Sequence, residues 1–104
     1  MKSIVKLQSA HLFLDNKLAD QIFDNIPYAY ATFTQNHLLV TPVSSVWFAK
    51  MYDATQFMLK TKNGKGDKTV GIKELLIEND LDMEDRILDF EVIEKTKLIK
   101  IAMH

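Results

Sequence analysis

Along most of this chain hydrophobic and polar residues alternate, and where alternation stops the spacing turns helical. SIVKLQ (3–8) and AHLFL (10–14) are short β-branched or alternating runs that predict two strands. Asp15 then reads as an N-cap. In DNKLADQIFDNI the residues Leu18, Ile22 and Ile26 recur every fourth position on one stripe, and Asn25 with Pro27 supplies a stop, because the residue before proline avoids helical angles. A short first helix follows.

YAYATFT (28–34) sets Tyr28, Tyr30, Thr32 and Thr34 against Ala29, Ala31 and Phe33, and Gln35-Asn36 separates it from HLLVTPV (37–43), which predicts a hairpin. SSVWFAKMYDAT opens on a serine cap and spaces Trp47, Met51 and Ala54 helically, with Phe48 and Tyr52 beside them. This predicts a middle helix over about 45–54. Its broad apolar arc suits either the core beneath a sheet or a contact with another subunit through Trp47, Phe48, Met51 and Tyr52. TQFMLKTK (55–62) alternates again, and the Asn-Gly pair of NGKG (63–66) is expected to take positive φ and turn the strand into DKTVGI (67–72). KELLIEND (73–80) predicts a helix around Leu75, Leu76 and Ile77. DRILDFEVI (85–93) sets Ile87, Asp89 and Glu91 against Leu88, Phe90 and Val92 as a strand, and LIKIAM (98–103) is the last one.

The order strand, strand, helix, hairpin thus occurs twice. An offset of 58 carries Leu14 onto Ile72 and Leu18 onto Leu76; an offset of 60 carries Tyr28, Tyr30 and Thr32 onto Leu88, Phe90 and Val92, and Leu38 onto Leu98. Neither copy could bury its sheet face alone, so pairing the two closes one core. The expected fold is α+β: a small β-barrel of two pseudo-repeated strand–helix–hairpin units, about 3–43 and 55–103, joined by the middle helix in a single domain, 1–104.

Composition changes this picture mainly through charge. The 104 residues, 47% hydrophobic, suffice for one core. No run reaches the roughly 18 apolar residues of a membrane helix, and Lys6 interrupts the place of a signal peptide's apolar stretch, so a soluble, cytoplasmic protein without membrane partner is expected. With no cysteine, thiolate chemistry and disulfides are excluded. The net charge of -1 hides segregation: residues 60–73 carry five lysines against Asp67, hence +4, and residues 74–94 carry nine acids against Arg86, hence -8. Such a basic patch can attract an anionic partner despite overall neutrality.

The run TVGIKELLIENDLDMEDRILDFEVIEKTKLIKI resembles the AbrB/SpoVT swapped-hairpin superfamily, in which a strand, a short helix, a polar acidic turn and a hairpin follow one another. Two units in one chain are similar to its tandem, MraZ-like arrangement, with HLFLDNKLADQIF and HLLVTPV as the first copy and KTKNGKGDKTVGIKELL opening the second. Asp82 and Arg86 have the spacing of that group's Asp-x-x-x-Arg but follow the helix. Gly71-Ile72-Lys73 stands where members often have proline. The resemblance implies DNA binding by a dimeric or ring-forming transcriptional regulator.

The lysine hairpin is the leading functional candidate, with Lys60, Lys62, Asn63, Lys65, Lys68 and Lys73 as its contacts. Lys62, Lys65 and Lys68 would lie along the phosphates of double-stranded DNA while backbone N–H groups of residues 63–66 add bonds. Repeated copies in a homo-oligomer would supply affinity. The alternative is an oligomeric structural or adaptor domain that binds no nucleic acid, and the plainest reading of the lysines is a solvated turn that protects a sheet edge. Asp80, Asp82, Glu84, Ile87 and Glu91 fall at calcium-loop places, but Asp85 stands where that loop needs glycine, so an acidic solvated turn is expected instead. His37 and His104 have no metal-ligand spacing, and the spacing of His11 and Asp15 crosses a strand end. Ser44-Ser45 lacks a nucleophile elbow, and NGKGDKT lacks the phosphate-loop spacing. Neither an enzyme nor a cofactor or metal is expected.

Overall fold

The computed structural model describes residues 3–103; His104 lies outside them. Its elements run β1 (Val5–Gln8), β2 (His11–Leu14), α1 (Asn16–Phe23), β3 (Tyr28–Thr34), β4 (His37–Pro42), α2 (Val46–Met51), β5 (Thr55–Thr61), β6 (Lys68–Gly71), α3 (Lys73–Glu78), β7 (Arg86–Leu88), β8 (Phe90–Ile93) and β9 (Leu98–Ala102), with a 3-10 turn at Glu94–Thr96. Every expected element is present, with β3 at its expected bounds and the others trimmed at one or both ends. The exception is the run 85–93, which breaks at Asp89 into two strands.

That break closes the sheet. The strands follow the order β7-β1-β2-β6-β5-β3-β4-β9-β8, so β7 and β8, separated only by Asp89, form its opposite margins. Leu88 still pairs with Val5 on β1, whereas Phe90 already pairs with Ile101 on β9, and the Asp89 carbonyl accepts the Ala102 N–H at 2.9 Å. One bent segment therefore satisfies both margins, and the result is a small, mostly β, nearly closed barrel with a few helices.

Alternation directs the core. Val5, Leu7, Leu12, Leu14, Ala29, Ala31, Leu38, Val40, Val70, Ile99 and Ile101 point inward, and α1 and α3 add Leu18, Ile22, Phe23, Leu75 and Leu76 to the same cluster. Leu88 is buried and Phe90 and Val92 pack against this core, whereas Tyr30 faces out. Tyr28, Tyr30 and Thr32 therefore do not occupy places equivalent to Leu88, Phe90 and Val92. In β3 it is Ala29, Ala31 and Phe33 that face the core.

The first helix is capped as its sequence requires: the Asp15 carboxylate accepts the Leu18 N–H at 2.9 Å and, through its other oxygen, the Ile4 N–H at 2.6 Å. It stops at Phe23, earlier than the Asn25-Pro27 signal, because Asp24 and Asn25 both take positive φ. Ile26 is left outside the stripe. In α2 the expected stripe is rotated. Phe48 is the buried residue, stacked with Tyr30, tilted against Tyr52 and packed on Leu39 and Leu98 outside the barrel wall, while Trp47 and Met51 remain 39% and 67% exposed. Ser45 makes no capping bond, because its hydroxyl meets Thr41 Oγ1 at 3.1 Å. Thr41, fully buried, also donates to the Lys97 carbonyl at 2.8 Å. Among the described residues no helix is long and apolar enough to cross a membrane.

Neighbouring residues of β7 test this register. Leu88→Ala should lower unfolding free energy by about 2–4 kcal/mol in urea titrations, because Leu88 is 5% exposed. Ile87→Ala, at 74% exposure, should change it by less than about 0.5 kcal/mol.

Candidate nucleic-acid interface

The hairpin β5–β6 carries the lysines, and its loop is built differently from the expected Asn-Gly turn. Gly66 is the glycine at positive φ, +92°, while Asn63 acts through its side chain. Its Oδ1 accepts the Lys65 N–H at 3.0 Å and the Asp67 N–H at 3.4 Å, and its Nδ2 donates to Asp67 Oδ2 at 2.9 Å. The Gly66 N–H donates to the Asn63 carbonyl at 3.3 Å. Backbone donors 65 and 66, expected to reach phosphates, are thus committed within the loop.

The loop is also latched to α1. Asp67 Oδ1 accepts the Asn16 N–H at 2.8 Å, and Asn16 Nδ2 donates to the Lys65 carbonyl at 2.9 Å. Two carboxylates, Asp15 and Asp67, therefore satisfy donors of the same first helical turn, which otherwise has no intrahelical partners. A fixed loop holds Lys65 and its neighbours in one place.

Strand alternation divides the six expected contact residues. Thr69, which faces outward, pairs with Lys60, and Lys62 continues that outer face; both lysines are exposed. Lys68 falls on the opposite side, half-buried, with Nζ donating to Thr61 Oγ1 at 2.8 Å. Lys73 lies past Gly71, at the far end of β6 from the loop, beside Glu74. Asn63 is a loop brace. Lys60 and Lys62 therefore share the outer face, Lys65 stands exposed in the loop beyond them, and Lys68 and Lys73 lie apart from that face.

A residue outside the hairpin joins that group. Register sets Lys6 opposite Phe13, Phe13 opposite Thr69, and Thr69 opposite Lys60, one row across four strands. The Phe13 ring has Lys6 Nζ at 4.6 Å from its centroid and Lys62 Nζ at 6.0 Å. A depression of about 290 Å³ beside it is lined by Gln8, Ser9, His11, Phe13, Lys62 and Thr69. Neither Lys6 nor Phe13 could be assigned from the sequence, because their partners depend on β2 pairing with β6, which no local pattern specifies.

The acids lie elsewhere. Asp80, Asp82, Glu84 and Asp85 belong to the turn that enters β7 at the Gln8 end of β1, where Asp85 accepts the Ser9 N–H at 2.8 Å. The lysine loop leaves the sheet at the Leu14 end. Arg86 braces its own turn by donating to the carbonyls of Asp82 and Glu84, at 3.1 and 2.7 Å. Among the described residues no group of three His, Asp or Glu is placed to hold a metal.

Neither protein families, nor curated proteins, nor solved structures match this chain. Its chemistry is therefore judged from the geometry above.

The two loop glycines should respond differently to alanine. Gly66→Ala forces a side chain into a conformation that L-residues rarely adopt and should cost about 1–2 kcal/mol. Gly64→Ala, whose added Cβ would meet nothing within 4 Å, should be nearly neutral. Chemical denaturation of both variants checks the loop geometry.

Proposed function

We propose that the chain is a small DNA-binding transcriptional regulator that contacts the phosphate backbone of double-stranded DNA through exposed lysines of the 60–73 hairpin, Lys60, Lys62 and Lys65. The observation that carries this reading is the separation of charge in space. The basic loop leaves the sheet at the Leu14 end of β2 and the acidic turn 80–85 at the opposite, Gln8 end of β1, so the acids of that turn do not neutralise the loop lysines. A loop latched by Asp67 and Asn16 also holds its lysines with little left to order on binding.

We further propose that the barrel consists of two swapped strand–helix–hairpin units, the second longer at the Asp89 break. The pairing scheme supports this. β1–β2 corresponds to β5–β6 and β3–β4 to β8–β9; β2 pairs with β6 and β4 with β9, like with like; β1 reaches β7 as β5 reaches β3. Leu12 pairs with Val70, its own counterpart at an offset of 58. The same scheme supports kinship with swapped-hairpin regulators, and a homo-oligomer would multiply the few contacts each copy offers.

Three neutralised phosphates per chain give a slope of about -2.7 in log affinity against log salt. Fluorescence anisotropy with random duplex DNA should therefore show saturable binding that weakens with salt and disappears when Lys60, Lys62 and Lys65 are all changed to Glu. Absence of binding at low salt and tens of micromolar protein, on the scale of non-specific affinities, would remove this reading.

The exposure of Val46, Trp47 and Met51 on α2, 59%, 39% and 67%, favours a second reading, an assembly or adaptor surface. Phe48 takes no part in it, being fully buried, and Tyr52 is half-buried against Phe48. Light scattering of Trp47→Ala should report a smaller particle if α2 joins subunits. An unchanged mass with intact folding would count against that role.

A further inference from the structure

Phe13 stands on the outer sheet face where the alternation of a half-buried strand would place a polar residue. Its neighbours in the cross-strand row are Ile87, Lys6, Thr69 and Lys60, and Ile87 is 74% exposed. Two ammonium groups approach the ring, from β1 on one side and from the end of β5 on the other. The ring is half-buried, and Lys6, itself half-buried, lies closer over it than Lys62 does. An aromatic face framed by mobile cations on a sheet is the arrangement that stacks an unpaired base while basic side chains take the flanking phosphates.

We propose that this face binds single-stranded nucleic acid, one base stacking on Phe13 in place of the lysine ammonium groups, which swing outward to the phosphates on either side. Lys6 serves one side, and Lys60 and Lys62 the other. Lys6 and Lys60 lie three strand spacings apart, about 14 Å across the sheet. Polar groups are already in place around the base. The His11 Nδ1–H donates to the Ser9 carbonyl at 2.8 Å, since a carbonyl only accepts, and His11, Gln8 and Thr69 stand at the wall of the depression. Among nearby carboxylates, Asp67 is held by Asn16 and Asn63, and Asp85 is bonded to the Ser9 N–H at the rim, beyond the depression from the lysine loop. A duplex cannot use the ring, because its bases are already stacked and paired. This inference rests on the nucleic-acid reading above and changes the preferred partner from paired to unpaired strands.

The test compares a labelled oligothymidine of about 12 nucleotides with a duplex of the same length at one low salt concentration, using the full chain and Phe13→Leu. Leucine keeps the apolar contact and removes the ring, and an unchanged unfolding midpoint confirms that the variant is folded. The expected result is tighter binding of the single strand, weakened about tenfold or more by Phe13→Leu, with duplex binding unaltered and Phe13→Tyr close to wild type. Equal binding of the single strand by wild type and Phe13→Leu overturns the inference, and if the duplex still binds, the phosphate-contact reading survives. Failure of both oligonucleotides to bind overturns the two together.

Discussion

The whole architecture depends on a change of partner at Asp89. A nine-stranded sheet with two free margins would present two rows of unpaired N–H and C=O groups to any passing strand. Here the segment that begins on β1 ends on β9, so both margins are supplied by one stretch of chain, in strands of three and four residues. Because β7 reaches β1 while β8 reaches β9, one bent segment joins the β1–β2 hairpin to the β8–β9 hairpin.

Rigid loop chemistry and an open sheet face meet on the same side of this barrel. Asp67 contributes twice, bonding Asn63 within the loop and Asn16 at the start of α1, and so couples the lysine turn to the barrel. Lys65 is fixed by its backbone, whereas Lys6 and Lys62 hold flexible side chains over an aromatic ring. Positioning and adaptability are thereby assigned to different lysines, which suits an anionic polymer better than a single small anion.

Much of the fold was legible because period and turn chemistry agree locally: the strands alternate, Asp15 precedes a four-residue stripe, and Leu88, Phe90 and Val92 share a side as their spacing says. What was not legible has physical reasons. The β1–β2 turn carries Ser9 and Ala10 at φ 50° and 62° with no glycine to announce it, and the Asn63 side chain overrides the turn its Asn-Gly sequence suggests. In α2, apolar residues occupy both sides of a helix of six residues, so periodicity could not tell that Phe48 rather than Trp47 goes inward. The basic cluster was half visible. Charge density marked the hairpin, but parity across its loop sends Lys68 away from Lys62, and Lys6 and Phe13 arrive from a hairpin half a chain away.

The bend at Asp89 also governs the history of each molecule as it is made. Val5 finds its partner Leu88 only after the residues between them have left the ribosome, so β1 waits with an uncovered flank until then. Contacts so distant along the chain make folding slow relative to a helical protein of equal size. Nascent copies are therefore open to misassociation until β7 emerges, and a holding chaperone would find its client in that interval.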